Sequence, residues 1–480
     1  MFALALLAQP LAAAPARPPV KRTAPVKRTV AKPAVKPAVR PAAKPARLAN
    51  IIPAALPDTP EIQALRRAFR FGFAPYEMLR TRQLQLSRVA AAGQGAGMGT
   101  GVNALIPRLT LADASMRDVT TPNNDTLYAS AWLDLAQGPV FFSTPGLKRY
   151  HSAALMSITS DVLAVLGTRS SGASGGRYAI VGPNWRGDLP AGVERVRSQS
   201  NDAWLLVRVV VNGENDLAAA ADGLMRFTLS AVGGETPLEL KVPAKPDGKA
   251  FLTAVGTALE RSGDALLISR AAQFADQGIG KAWETLTPEQ QKLWNDSLPG
   301  LIHELRAGLA AGDSIDGWVY PPFNMAAYGD DDDLRARVAL GGLAALPRIE
   351  AIYVSARTDG EGRTLTGAKS WRVKIPARLP VGGFWSLTMY EQQPDGRLFF
   401  VPNALNRFAI GDRSDHIRPE PGGGIELFVQ AARPSGERVV NWLPAPKGNF
   451  VLMFRAYLPG APLLDGSLRL PPVTEGEMIP

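Results

Sequence analysis

Thr121-Pro122-Asn123-Asn124-Asp125-Thr126-Leu127-Tyr128, continuing as Ala129-Ser130-Ala131-Trp132-Leu133-Asp134-Leu135, sets polar turn chemistry directly against a strand. Pro122 presets an extended or turn backbone, and Asn123, Asn124 and Asp125 can bond the amides that follow them in Asx-turns. From Leu127 the pattern alternates, with Leu127, Ala129, Ala131, Leu133 and Leu135 on one face and Tyr128, Ser130, Trp132 and Asp134 on the other. That is the period of a half-buried strand. The run reads as a chain reversal ending at a strand's entrance. Its polar residues either cap the turn or line a site with Asp125, Tyr128 and Trp132.

Outward from this point the same period recurs. Tyr128 to Leu135, Val140 to Ser143, Ser152 to Ser157, Tyr178 to Val181 and Trp204 to Val211 read as successive strands punctuated by Gly and Pro turns, an antiparallel sheet or sandwich. Upstream, the spacing of Ile62, Leu65, Phe69, Phe73 and Met78 predicts a helix broken or kinked at Pro75. Helical signals dominate from 216 to 311. Thr287-Pro288-Glu289-Gln290 supplies a cap, a proline at the first helical position and a capping-box partner, and Pro299 predicts a kink in the helix that follows. Asp330 to Asp333 precede a helical run, where a helix N-terminus favours negative charge. Strands return from Ile349 to Tyr457, the clearest being Phe384 to Tyr390, Leu398 to Val401, Ile425 to Val429 and Phe450 to Phe454. The expectation is a mainly β chain with a helical connecting segment and two antiparallel β-sandwich or jelly-roll-like domains, at 60–215 and 349–475, with 216–348 between them.

Charge narrows the partners. The chain has a formal net charge of +10, but ten Lys and Arg and no acids fall between Arg17 and Arg47, leaving 43 of each sign elsewhere. The basic field belongs to a tail, so no nucleic-acid partner is expected of the body. No apolar run approaches the ~20 residues that span a bilayer. Cysteine is absent, which excludes disulfides, thiolate metal sites and a Cys nucleophile.

Met1 to Ala8 is a short apolar segment, and Ala12-Ala13-Ala14-Pro15-Ala16 offers an A-x-A cleavage site. No Lys or Arg precedes it, so residues 1–16 read as a weak signal peptide and the protein as periplasmic or secreted. Residues 17–59 form a Pro/Ala/Lys/Arg-rich linker that favours polyproline II, a solvated spacer or a contact to an anionic envelope surface. A homo-oligomer is compatible with the sequence.

Several motifs are weaker than they look. Gly93 to Gly101 is Gly-rich but does not satisfy G-x-G-x-x-G. Gly172-Ala173-Ser174-Gly175-Gly176 matches G-x-S-x-G, yet a strand follows it rather than the helix of a nucleophile elbow, so it reads as a hairpin loop. The three histidines, His151, His303 and His416, form no metal-binding pattern; a two-His zinc site would need His151 and His416 brought together. The acidic run lacks the glycine and distal glutamate of an EF-hand. No metal and no cofactor is expected.

Pro122 to Tyr128, Gly138-Pro139, Arg149-Tyr150, Gly182-Pro183 and Trp185 together resemble the bacterial domain of unknown function 1254. Gly383 to Tyr390, Asn406-Arg407-Phe408, Asn441 to Pro446 and Arg455-Ala456-Tyr457 resemble its usual companion, domain of unknown function 1214. The resemblance spans roughly residues 60 to 475 and implies two β-sandwich or jelly-roll-like domains joined by a helical segment, in proteins often exported, with no established activity. The family often continues after Arg149-Tyr150 with an aromatic, a Gln and an Asp, where this chain has His151, Ala154 and Ser157; chemistry resting on those positions is not available to it.

The candidate ligand-binding residues are Asn123, Asn124, Asp125, Tyr128, Trp132, Arg149, Trp385, Tyr390, Asn441, Trp442 and Arg455, with no catalytic residue assigned. Asp125 and Arg149 suggest an ion pair, structural or ligand-orienting, and the tryptophans suggest flat walls or core. Two functions follow: an envelope protein binding a polar or carbohydrate-like small molecule, and an exported hydrolase or lyase using Asp125 and Arg149 in a cleft at a sandwich edge.

Overall fold

The computed structural model describes residues 55–91, 101–117, 120–310, 314–394, 396–415 and 417–479. The signal-peptide and tail expectations, most of the Gly93 to Gly101 loop, and His416 lie outside these residues.

The alternation at Leu127 to Leu135 becomes the strand Thr126–Asp134, paired along its whole length with Asp202–Val210. Ile106–Arg108, Thr126–Asp134, Asp202–Val210, His151–Ser157 and Val162–Gly167 form a five-stranded sheet in that order. Leu127, Ala129, Ala131 and Leu133 turn one face of it onto Val140, Phe142, Tyr178 and Ile180 of a second sheet, closing the first sandwich. The Gly172 to Gly176 motif connects the two sheets rather than forming the expected hairpin, because Val162–Gly167 and Gly176–Val181 belong to different layers. Ser174 there is exposed and precedes a strand.

The second sandwich repeats the arrangement. Ser314–Ile315, Trp318–Val319, Ala351–Ala356, Phe450–Tyr457, Trp385–Gln392 and Leu398–Phe399 form one sheet, which Ala409–Gly411 also joins through Trp385–Gln392. Ser370–Ile375 and Ile425–Gln430 lead the opposing sheet, with Trp371, Val373, Leu427 and Val429 packed on Leu387, Leu452 and Phe454. Among the strands of the described residues pairing is antiparallel except at two edges, where Glu194–Arg197 and Trp442–Pro444 run parallel to their neighbours; an isolated bridge from Val102 to Trp132 is parallel as well.

The helix Pro60–Ala91 runs through Pro75 without ending. A proline inside a helix costs about 3 kcal/mol, but here Phe69 and Tyr76 lie 5.4 Å from the Phe251 ring of the helix Gly248–Ser262, within a core that also buries Phe73, Met78 and Trp294. Burial on that scale outweighs one missing bond. Pro299 likewise sits inside Pro288–Ala307, whose start is the predicted capping box: Gln290 N donates to Thr287 Oγ1 (3.3 Å) and Thr287 N to Gln290 Oε1 (2.9 Å). Asp331 caps Asp332–Gly341, accepting from Leu334 N at 2.9 Å. Among the described residues no helix is long and apolar enough to cross a membrane.

Candidate functional site

The turn that opens the first long strand is a clasp. Asp125 N donates to Asn123 Oδ1 (2.6 Å), the expected Asx-turn, and Asn124 Nδ2 donates to the Ala112 carbonyl. The remaining polar groups reach into the second sandwich. Tyr390 OH donates to the Pro122 carbonyl (2.5 Å), Asn123 Nδ2 to Tyr457 OH (2.7 Å), Ser386 Oγ to Asp125 Oδ2 (2.6 Å) and Arg413 Nη2 to Asp125 Oδ1 (2.9 Å). The Arg413 guanidinium also lies 3.9 Å over the Phe384 ring and binds the Val211 carbonyl. Both carboxylate oxygens of Asp125 are thus engaged in a buried, charge-assisted join.

Arg149 is not its partner. Arg149 forms a two-pronged pair with Asp216, one limb at 3.0 Å. Burial works against the Asp216 anion, but the Arg149 hydrogen bonds hold its carboxyl below the usual range. The ion pair suggested between Asp125 and Arg149 is therefore replaced by two separate pairs, Asp125 with Arg413 and Arg149 with Asp216.

Beside the clasp lies a cavity of about 1340 Å³. Its floor is the face of the long strand pair turned away from the sandwich interior, where Trp132, Trp204 and Leu206 join the helical core: Tyr128, Ser130 and Trp132 stand opposite Arg208, Leu206 and Trp204, and all six line the space. Trp132 and Trp204 stack at 5.0 Å and 9°. Their indole N–H groups are fixed, Trp132 Nε1 on Gln85 Oε1 (2.9 Å) and Trp204 Nε1 on Ser130 Oγ (2.8 Å). Tyr353, Ser355, Arg357, Met453, Arg455 and Tyr457 line it from the second sandwich, and residues of the helices Pro60–Ala91 and Asp332–Gly341 and of several loops, among them 244–246, 320–325 and 465–469, add to the wall.

The wall is electrically one-sided. Among the described residues it carries twelve arginines and one lysine against three carboxylates, Glu77, Asp331 and Asp465. Arg455 is 3 % exposed, and its donors go to neutral oxygens: Nη1 to Thr388 Oγ1 (2.7 Å), Nη2 to Tyr390 OH (2.7 Å) and Thr121 O (3.4 Å). Arg208 is 5 % exposed; Nη2 donates to the Ala344 carbonyl (2.8 Å), and Nη1 has no partner. A second cavity, of about 390 Å³, is lined by Arg82 with Glu235 and Glu239, and Asp202 and Asp134 offset that cation.

Of the sequence candidates, Asn123, Tyr128, Trp132 and Arg455 line the large cavity. Asn124 and Asp125 belong to the clasp. Tyr390 stands behind Arg455. Trp385 stacks on Phe454 in the second core. Asn441 binds the backbone of Arg418 and Glu426, and Trp442 Nε1 the Gln430 carbonyl. Arg208, Trp204, Tyr353 and Arg357 were missed. Arg208 left a signal, an arginine in the apolar strand run Trp204-Leu205-Leu206-Val207-Arg208-Val209, where an unpaired charge is rare. His151 is buried, with Nδ1 3.0 Å from the Arg149 carbonyl oxygen, and His303 is exposed. Among the described residues no group of three His, Asp or Glu is arranged to hold a metal.

Fold and seam define a class: paired β-sandwiches clasped over a cationic cavity. Residues 102–230 match the family model described as Protein of unknown function (DUF1254), and residues 350–461 that described as Protein of unknown function (DUF1214). The chain carries a DUF1254 domain followed by a DUF1214 domain, as the sequence motifs implied. The crystal structure of the VPA0106 protein from Vibrio parahaemolyticus is similar in fold, with TM-score 0.62 and 22% identity over 87% of this chain and 100% of that one. An uncharacterised protein from Burkholderia cenocepacia aligns with TM-score 0.41 and 14% identity over 88% of this chain and 91% of that one. No curated protein matches the chain.

Proposed function

We propose that this protein binds an anionic, amphipathic small molecule in the seam cavity and does so in the cell envelope. The observation that carries the reading is the charge imbalance of the wall, twelve arginines and a lysine against three carboxylates among the described residues. Of these, Arg208 and Arg455 are buried and hydrogen-bond only to neutral oxygens; buried guanidinium groups stay protonated, so an anion beside these two would stabilise them. The same space offers the half-buried Leu86, Leu340 and Leu343 as apolar surface beside the Trp132–Trp204 stack. Its volume exceeds the ~300–1,000 Å³ of ordinary small-molecule pockets, which suits a ligand larger than a single sugar ring. The carbohydrate-like ligand expected from the sequence narrows accordingly to an acidic one: a neutral sugar needs acceptors as well as donors, and this wall is rich in donors.

The test is native mass spectrometry of protein isolated gently from its own cells, followed by titration of the ligand class it names while Trp fluorescence is read. A retained acid supports the reading. A retained neutral molecule, or no response to carboxylates, sulfates and phosphates up to millimolar concentration, overturns it. The envelope location rests on the Met1 to Ala16 segment and the basic tail. N-terminal sequencing of the mature protein should begin after Ala16, and fractionation should recover it outside the cytoplasm.

A further inference from the structure

We infer that Arg208, Tyr353 and Tyr457 form the subsite that holds the ligand's oxyanion head group, a carboxylate or a phosphate carried on a larger organic body. The inference rests on the cavity being a binding site, and narrows it to three side chains on the Asp202–Val210, Ala351–Ala356 and Phe450–Tyr457 strands.

The argument comes from where the protons go. Tyr150 donates its hydroxyl proton to Glu350 and Tyr390 donates its own to the Pro122 carbonyl, and neither lines the cavity. Tyr457 and Tyr353 do line it, and their oxygens accept, from Asn123 Nδ2 at 2.7 Å and from Leu346 N at 3.3 Å. Accepting leaves each O–H free to donate. Burial pushes both phenols above their ordinary range, so they remain neutral donors that cannot offset a cation.

Arg208 adds Nη1, a buried donor without a partner. Tyr128 lies over its guanidinium at 5.5 Å, and Tyr353 and Tyr457 are among the groups that act on its charge. Arg455 is close enough to bear on the same two phenols. One wall thus presents guanidinium and hydroxyl donors with no carboxylate among its own residues. Water could accept those hydrogen bonds but would not neutralise the guanidinium; an oxyanion does both.

Phenyl phosphate and benzoate serve as probes for the full-length protein, with benzyl alcohol as the neutral control, read by calorimetric titration and by melting temperature. The expected result is binding of at least one anion, no binding of the alcohol, and about tenfold or greater loss of affinity in Arg208→Met, as for a charged hydrogen bond. Tyr353→Phe and Tyr457→Phe keep the rings and should each weaken binding about threefold or more. Without probe, Arg208→Met should melt at or above the wild-type temperature, because an apolar side chain replaces an uncompensated charge. A preference for phenyl phosphate assigns a phosphate ester, and one for benzoate a carboxylic acid.

Wild-type binding that Arg208→Met and both Phe variants leave within twofold overturns the subsite while the cavity reading stands. Absence of binding by either anion overturns both. If Arg208→Met fails to fold, the two Phe variants decide by the same criterion.

Discussion

Asp125 shows how a single residue can mark a family and still stay out of the lining of the large cavity. Its carboxylate is spent on Arg413 and Ser386. Asp125→Asn should therefore destabilise the fold by about 3 kcal/mol, the lower end for removing one partner of a buried pair, and leave anion affinity unchanged apart from that loss. A double-mutant cycle read by denaturant unfolding separates the two ion pairs: Asp125→Asn with Arg413→Met should couple, while Asp125→Asn with Arg149→Met should add within about 0.5 kcal/mol. Coupling of the second combination would restore the pairing that the sequence suggested.

His151 carries a pH signature at the same scale. A carbonyl oxygen 3.0 Å from Nδ1 fixes the ring proton there, leaving Nε2 a buried lone pair without a partner. Burial lowers the His151 pKa from the ordinary 6.5, against the weaker pull of the Arg149 carbonyl and Glu350. The unfolded chain gains a proton first as pH falls. Stability conferred by the neutral ring is full above about pH 6.5 and declines below it, by at most ~1.4 kcal/mol per pH unit. Unfolding of wild type and His151→Gln compared between pH 7 and pH 5 should show the extra decline in wild type alone; equal slopes would mean that His151 does not titrate on unfolding.

At the scale of elements, local chemistry was legible and partnership was not. The alternation at Leu127 to Leu135, the Thr287 capping box and the placing of the Asp330 to Asp333 run at a helix N-terminus each follow from spacing within a few residues, and each is present; that Asp331 would be the capping residue was not read. Thr287→Ala should cost about 1 kcal/mol, and Gln290→Ala added to it little more, since both bonds belong to one box; additive losses in thermal unfolding would show two independent caps. Pro75 is the contrary case. Its local penalty is real, but the Phe251 and Trp294 rings that outweigh it lie about two hundred residues away in sequence. Val162–Gly167 escaped notice because its apolar run is short and ends in a glycine at positive φ. The Asx-turn was readable from Asn123 to Asp125; that its remaining hydrogen bonds would go to Ser386, Tyr390, Arg413 and Tyr457 was not, because nothing in one segment encodes the position of another.

For the whole molecule, the seam decides how the halves behave. The described residues form one unit, and the seam has its own apolar core, with Tyr150, Ala154, Val165 and Val210 packed on Leu346, Phe384 and Tyr457. Phe384 and Tyr457 stack at 4.1 Å, and Tyr150 meets both. Around this core the clasp adds directional bonds, and beside it Tyr150 OH and Arg169 Nε each donate to the buried Glu350 carboxylate at 2.8 Å. Two domains in contact mainly through polar surface move independently; an apolar core ringed by charged hydrogen bonds couples their unfolding. Scanning calorimetry should give a single transition whose calorimetric and van't Hoff enthalpies agree. Removing the clasp and the seam core together, in Asp125→Asn with Tyr457→Ala, should split it into two, because each sandwich keeps its own core while the join is lost. Two transitions in the wild type would show instead that the sandwiches fold separately and that the cavity between them opens by domain motion.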